Sequence, residues 1–288
     1  MISADDIAAI ITDRVAAAQS GTQILADRIV FWVPVQDGET ALAETRQVIA
    51  NLAASGLSVD AQGVTMQPAA PEREWKEAWK SHFHISRLTR QLVVVPSWET
   101  FQAQPDDLVL HLDPGQAFGT GLHASTRLVL HGMQELADRG GSVSRFLDLG
   151  TGSGILAIAA IRLWPQCTGV AVDIEPLALA AAAENAASNN VAEQIECLAS
   201  ATEPTGHFDL VLANIQSDVL LDNHPLIAPR VAVGGTLLLS GLLTTQVEAV
   251  AARYAETRYE DDSALVTEEI RASADDPEWS SARLRRIG

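Results

Sequence analysis

A chain of 288 residues with 47% hydrophobic and 19% charged residues can build one large core or two modest ones, which excludes a disordered protein. Its formal charge of −18 makes free nucleic acid a poor direct partner and a basic partner a better one, unless the acidity only keeps an alanine-rich protein soluble. Two cysteines (Cys167 and Cys197) in apolar runs, no metal-ligand spacing, no signal-like N-terminus and no apolar run near ~18 residues lead us to expect a cytoplasmic protein without a metal or a membrane partner.

Ser3 can cap a helix whose apolar face carries Ile7, Ile10, Ile11 and Val15. Residues 24–35 read as one strand, 40–54 as a helix ended by Gly56, and 57–66 as another strand. They make a small α/β domain over residues 1–67 in which nothing looks catalytic, so its role is structural or the recognition of a partner. Pro68-Ala69-Ala70-Pro71 marks a boundary. The segment 68–90 is a linker with a helix over 72–88, where Trp75 and Trp79, four apart, share a face. It also holds the only two lysines, Lys76 and Lys80. The tryptophans either dock this helix or help to shape a pocket or hinge.

A second, larger domain covers residues 91–288. It opens with a short strand over 91–96, and Trp98-Glu99 starts a loop. Residues 113–127, DPGQAFGTGLHASTR, are glycine-dense, and Thr126 lies at the entry of a helix to residue 136. A loop of this kind can fold over a bound ligand. His123 within it reads more readily as a structural hydrogen-bonding group than as a general base.

The chain is organised around residues 145–176, RFLDLGTGSGILAIAAIRLWPQCTGVAVDIEP. An apolar run enters the turn Gly150-Thr151-Gly152-Ser153-Gly154, a helix follows over 155–164, and a β-branched run over 168–172 delivers Asp173. This is one βαβ unit with a nucleotide site at its first turn. Glycines there let the backbone approach a ligand and present N–H groups at a helix N-terminus. Asp173 sits 23 residues after Gly150, near the ~20-residue offset at which an acid reaches a ribose hydroxyl pair. A dinucleotide fingerprint would need a glycine where Ile155 stands. The pattern is D-x-G-x-G-x-G from Asp148, which is similar to the motif of class I S-adenosylmethionine-dependent methyltransferases. A dinucleotide enzyme and a purely structural turn are the other readings.

Beyond Asp173, residues 177–190 read as an alanine-rich helix with Pro176 at its start, and 195–198 as a strand before Ser200-Ala201, a turn that could meet an adenine. The strand 208–213 ends at Asn214, which should lie beyond a carboxyl strand end at the order switch, or else cap a helix from Asp218 that 225–231 closes. A strand over 236–240, a helix over 246–255 and a hairpin of strands 264–271 and 279–286 at the sheet edge follow. Strand and helix alternate from Arg145 onward, which gives a doubly wound, mainly parallel α/β sheet. No lysine or arginine occurs between Arg162 and Arg230. The acids there, Asp173 and Glu175 among them, suit a cationic cofactor and a cationic substrate.

Taken together, DPGQAFGTGLHAST, FLDLGTGSGILAIAA, VDIEPLALAAAAENAASNN and VLANI resemble the PrmA family, the methyltransferases of ribosomal protein L11. The likeness runs from about Trp75 to the C-terminal EWSSARL. It implies a Rossmann-like methyltransferase domain, with a small N-terminal recognition domain and a linker helix. It also implies transfer of methyl groups from S-adenosylmethionine to lysine side chains and the N-terminal amine of a basic ribosomal protein, by an enzyme expected to be a monomer. Carried over for the cofactor are Thr126, Gly150, Gly152, Asp173, Asn214, Phe118, Gly119 and Thr120, with Asn214 also the catalytic candidate. The chain has Ala124 where the family commonly has proline, Thr151 for a frequent cysteine and Gln216 for leucine. Another methyltransferase of the same fold, a non-catalytic binding module and a nicotinamide-dependent oxidoreductase are the alternatives.

Overall fold

Ala41, Thr45 and Ile49 recur every four residues and put one buried stripe on α1 (Gly38–Ala54). The computed structural model describes residues 7, 10, 11, 15, 23–25, 28–31, 33, 37–54, 57, 59, 63–67, 83–113, 121 and 123–288. They fall into two units, Met1–His82 and Phe83–Gly288. In the first, Ile11, Val15, Ala41 and Ile49 are buried together, with Phe31, Leu52 and Val64 against them. Thr45 Oγ1 returns to the Ala41 carbonyl at 2.7 Å, which lets a hydroxyl sit on this apolar face.

Residues 24–35 are not one strand. They supply β1 (Gln23–Leu25) and β2 (Arg28–Val30), paired antiparallel with Leu25 opposite Arg28. The sequence carries a turn-prone residue, Asp27, whose signal the apolar content of 24–35 outweighs. The strand expected over 57–66 is absent among the described residues there. The Val64 carbonyl instead accepts from the Arg46 guanidinium at 3.0 Å. The linker helix lies outside the described residues as far as position 82, with Trp75, Lys76, Trp79 and Lys80. Residues 83–90, drawn as linker from the sequence, belong to the second unit and are not helical.

That unit begins with a three-stranded sheet: β3 (Ser86–Arg87) antiparallel to β4 (Leu92–Val95), and β4 parallel to β5 (Leu108–His111). The strand β5 was not expected, because its four residues are too short a run to show a period. α2 (Ala124–Asp138) then leads into the main sheet. Its parallel strands are β6 (Arg145–Leu149), β7 (Thr168–Val172), β8 (Ile195–Leu198), β9 (Phe208–Asn214) and β10 (Val231–Leu243). Between them run α3 (Ile155–Leu163) and α4 (Pro176–Ser188). Residues 155–161 of α3 are all buried, as an all-apolar helix requires.

The helix expected from Asp218 breaks into α5 (Ser217–Asp222) and α6 (His224–Ile227), followed by a 3₁₀ turn, Ala228–Arg230. Pro225 and Pro229 lack the N–H that a continuing helix needs, so each starts a new segment. After α7 (Val247–Ala255) comes the hairpin of β11 (Ala264–Ala272) and β12 (Trp279–Ile287), antiparallel as expected. The last strand lies inside the sheet, whose order is β11-β12-β10-β9-β6-β7-β8.

From β6 the chain steps outward through β7 and β8, then returns to lay β9 on the other side of β6. Connections therefore diverge between β6 and β9, and a crevice at their carboxyl ends is where ligands bind in open α/β sheets. No helix among the described residues is long and apolar enough to cross a membrane.

Candidate functional site

The turn after β6 is shaped by Gly150, Gly152 and Gly154, all at positive φ (72°, 54° and 80°). Gly150 and Thr151 both donate their backbone N–H to the Val172 carbonyl at 2.9 Å, which ties the turn to the end of β7. A Cβ on Gly150 would stand 2.3 Å from Ile215 Cγ2, so only glycine lets the loops after β6 and β9 come this close.

Asp173, directly after β7, faces the same turn. Its Oδ2 accepts from Gly152 N at 2.9 Å and its Oδ1 from Glu175 N at 3.1 Å. Each oxygen keeps lone pairs for a further donor. Ile174 and Leu177 beside it are 79% and 63% exposed, a large apolar surface at the mouth of the crevice. Ser200 and Ala201 follow β8, and the Ser200 hydroxyl is 2.8 Å from that of Thr202.

Below the turn Asp148 is fully buried. Its Oδ2 accepts from Thr151 Oγ1 at 2.7 Å, and its Oδ1 has no hydrogen-bond partner. Burial pushes this carboxyl up to about 7; the Thr151 hydroxyl and the Ala157 backbone N–H oppose the shift, and the negative charge of Asp173 adds to it. Burial, with the Asp148 charge behind it, also raises the Cys197 thiol.

Across the order switch, Asn214 ends β9 and its Nδ2 donates to Thr126 Oγ1 at 3.1 Å. Asn214 Oδ1 is buried and makes no hydrogen bond. Gln216, not Asn214, stands at the N-cap of α5, which removes the capping alternative. Thr126 is held from the other side, because Ser240 on β10 donates its hydroxyl to the Ser125 carbonyl at 2.9 Å. His123 is the N-cap of α2: its side chain accepts from Ser125 N, and its ring packs edge-on against Trp279 at 4.5 Å. That is the structural role expected for it.

The structure brings Gly150, Gly152 and Asp173 together on one side of the crevice and Thr126 with Asn214 on the other. Phe118, Gly119 and Thr120 lie outside the described residues. Sequence reasoning missed the Thr151–Asp148 bond, the exposed pair Ile174 and Leu177, and the buried Asn185 on α4. The dense apolar pattern around Ile174 hides which residues face out, and no local signal marks the other two. At the crevice, the buried acceptor oxygen Asn214 Oδ1, which has no donor, fits a ligand or substrate that carries N–H groups. Among the described residues no group of acids, histidines and cysteines could hold a metal ion.

A family model described as ribosomal protein L11 methyltransferase (PrmA) matches residues 12–273. The chain is similar to the ribosomal protein L11 methyltransferase of Pelobacter propionicus, 41% identical over 225 residues, 76% of this chain and 72% of that one. It is likewise 41% identical over 216 residues to that of Geobacter sulfurreducens, covering 74% of this chain and 69% of the relative. Among solved structures, the ribosomal protein L11 methylase of Lactobacillus delbrueckii subsp. bulgaricus matches with a TM-score of 0.62 and 31% identity, over 72% of this chain and 100% of that one.

Proposed function

Because this chain belongs to the ribosomal protein L11 methyltransferase (PrmA) family, a group of S-adenosylmethionine-dependent protein methyltransferases, we propose that it methylates lysine side chains and the N-terminal amine of ribosomal protein L11. The observation that carries this reading is the Thr126–Asn214 pair, with a buried carboxamide oxygen lacking a donor across the order switch from the glycine turn.

When bound, S-adenosylmethionine supplies a methyl group on a sulfonium, so its leaving group is already activated. Gly150 and Gly152 admit the amino-acid tail beside the turn, and Asp173 accepts from the ribose hydroxyls. Ile174 and Leu177 provide apolar surface for the adenine, while the resemblance assigns Phe118, Gly119 and Thr120 to the same ligand. Asn214 Oδ1 accepts from an amine and orients it, which is positioning catalysis; a near-attack geometry needs reacting atoms about 3–3.5 Å apart. No side chain is assigned as general base. The lysine amine, with a reference pKa of about 10.4, loses its proton to water as desolvation in the site lowers that value.

In this reading the enzyme works as a cytoplasmic monomer, without direct nucleic-acid contact, and residues 1–67 select the protein substrate through a linker at 68–82. Transfer of labelled methyl from S-adenosylmethionine into purified ribosomal proteins, with products located by mass spectrometry, tests it. Label on L11 alone is the expected outcome. Label on another protein, with cofactor bound normally, would replace the substrate and leave the cofactor site standing.

A further inference from the structure

β5 is an edge strand whose outer edge is paired by side chains. Its even-numbered residues bond to the β4 side, with Leu108 N donating to the Gln91 carbonyl and Leu112 N to that of Val95. Its odd-numbered residues meet α3 and α4. Arg162 Nε donates to the Val109 carbonyl at 2.9 Å. Asn189 accepts from His111 N at 2.9 Å and donates to the His111 carbonyl at 2.6 Å. Asn185 Oδ1 accepts from Asp113 N at 3.3 Å. The last of these side chains differs from the others, because its Nδ2 donates to the Ser153 carbonyl, inside the glycine turn, at 2.9 Å. Asn185 is 4% exposed, and both halves of its carboxamide are used.

We infer that Asn185 is a positioning residue for the cofactor: its carboxamide locks the Ser153 carbonyl of the glycine turn to the Asp113 backbone at one fixed separation. An amide is suited to this because it offers a donor and an acceptor about two ångströms apart on one rigid plane. The alanines around it on α4 allow the close approach; a Cβ at Gly154 would already stand 3.1 Å from Ala182. The inference rests on the reading that the glycine turn holds S-adenosylmethionine.

Calorimetric titration of the full-length protein with S-adenosylmethionine, paired with methyl-transfer kinetics, tests it. Asn185→Ala is expected to weaken binding by about tenfold, the size of a buried hydrogen bond lost. The KM for the cofactor should rise in proportion while kcat at saturation stays within about twofold. Asn185→Asp can still accept from Asp113 N but cannot donate to Ser153, so it should bind no better than the alanine variant. Gln194→Ala removes bonds to the Pro165 and Cys167 carbonyls at the far end of β7, so it should melt lower and bind the cofactor as wild type does. Wild-type affinity in Asn185→Ala, with a melting loss like that of Gln194→Ala, overturns the inference. If Asn185→Ala does not fold, amide exchange on the wild type decides: the Asp113 N–H should slow at least about fivefold on cofactor saturation, and an unchanged rate overturns the inference. Unchanged affinity in Asp173→Ala would instead sink the assignment of the site itself.

Discussion

One carboxyl and one glycine state the demands of the crevice at the scale of single residues. Asp148 is an acid that burial raises to about 7, against 3.8 for an ordinary aspartate. Between those values the native protein holds a proton that the unfolded chain has released. The Asp148 contribution is therefore fully present below about pH 4 and is lost as pH rises through 7. The difference between the two values corresponds to roughly 4 kcal/mol over that window. Asp148→Asn, which cannot ionise, should gain on wild type by about 2–3 kcal/mol between pH 5 and pH 8 in urea unfolding. A difference that is flat with pH would mean the carboxyl titrates normally. At Gly150 the added methyl of Gly150→Ala meets both a left-handed backbone and the Ile215 side chain. The backbone alone costs about 1–2 kcal/mol, so a loss above ~2 kcal/mol and a much weaker cofactor titration are expected. The glycine turn could be read from the sequence because its residues are adjacent. Ile174 could not, since an isoleucine after a buried strand looks like one more core residue.

At the scale of elements, α2 carries the clearest test, because its first turn holds both a cap and a site residue. His123 caps the helix, and Thr126, three residues on, meets Asn214. His123→Ala should cost about 1 kcal/mol in chemical denaturation, the usual worth of a cap. Its kcat should stay within about threefold, whereas removing a general base would cost roughly a hundredfold or more. Pro225 and Pro229 break the expected helix after Asp222 for a reason already present in the sequence. β1 and β2 were read as one strand, and β5 escaped notice, because three or four residues carry too little pattern to show where a strand breaks or begins. The placement of β12 between β10 and β11 is set by sheet pairing, to which the order of residues along the chain gives no direct clue.

For the molecule as a whole, the net charge of −18 would make association with the basic ribosomal protein proposed as substrate sensitive to salt. The screening length falls from about 10 Å at 0.1 M to about 3 Å at 1 M, so the KM for the ribosomal protein should climb steeply over that range. The cofactor titration, which reports a site with buried acceptors, should change much less. A KM for the protein that is flat with salt would leave the acidity a matter of solubility alone. By itself the sequence determined the βαβ unit and its glycine turn, because these signals lie within one stretch of chain and follow from local spacing, while the likeness of four separate stretches to a known family implied the ligand and the activity. The family likeness named Thr126 and Asn214 without bringing them together. Only the tertiary structure decided that Asn214 meets Thr126 across 88 residues, and that Asn185 ties residues 32 and 72 positions away. Such pairs have no period or motif; they exist because a sheet that reverses its strand order brings distant strand ends to one crevice, where buried polar groups must find one another.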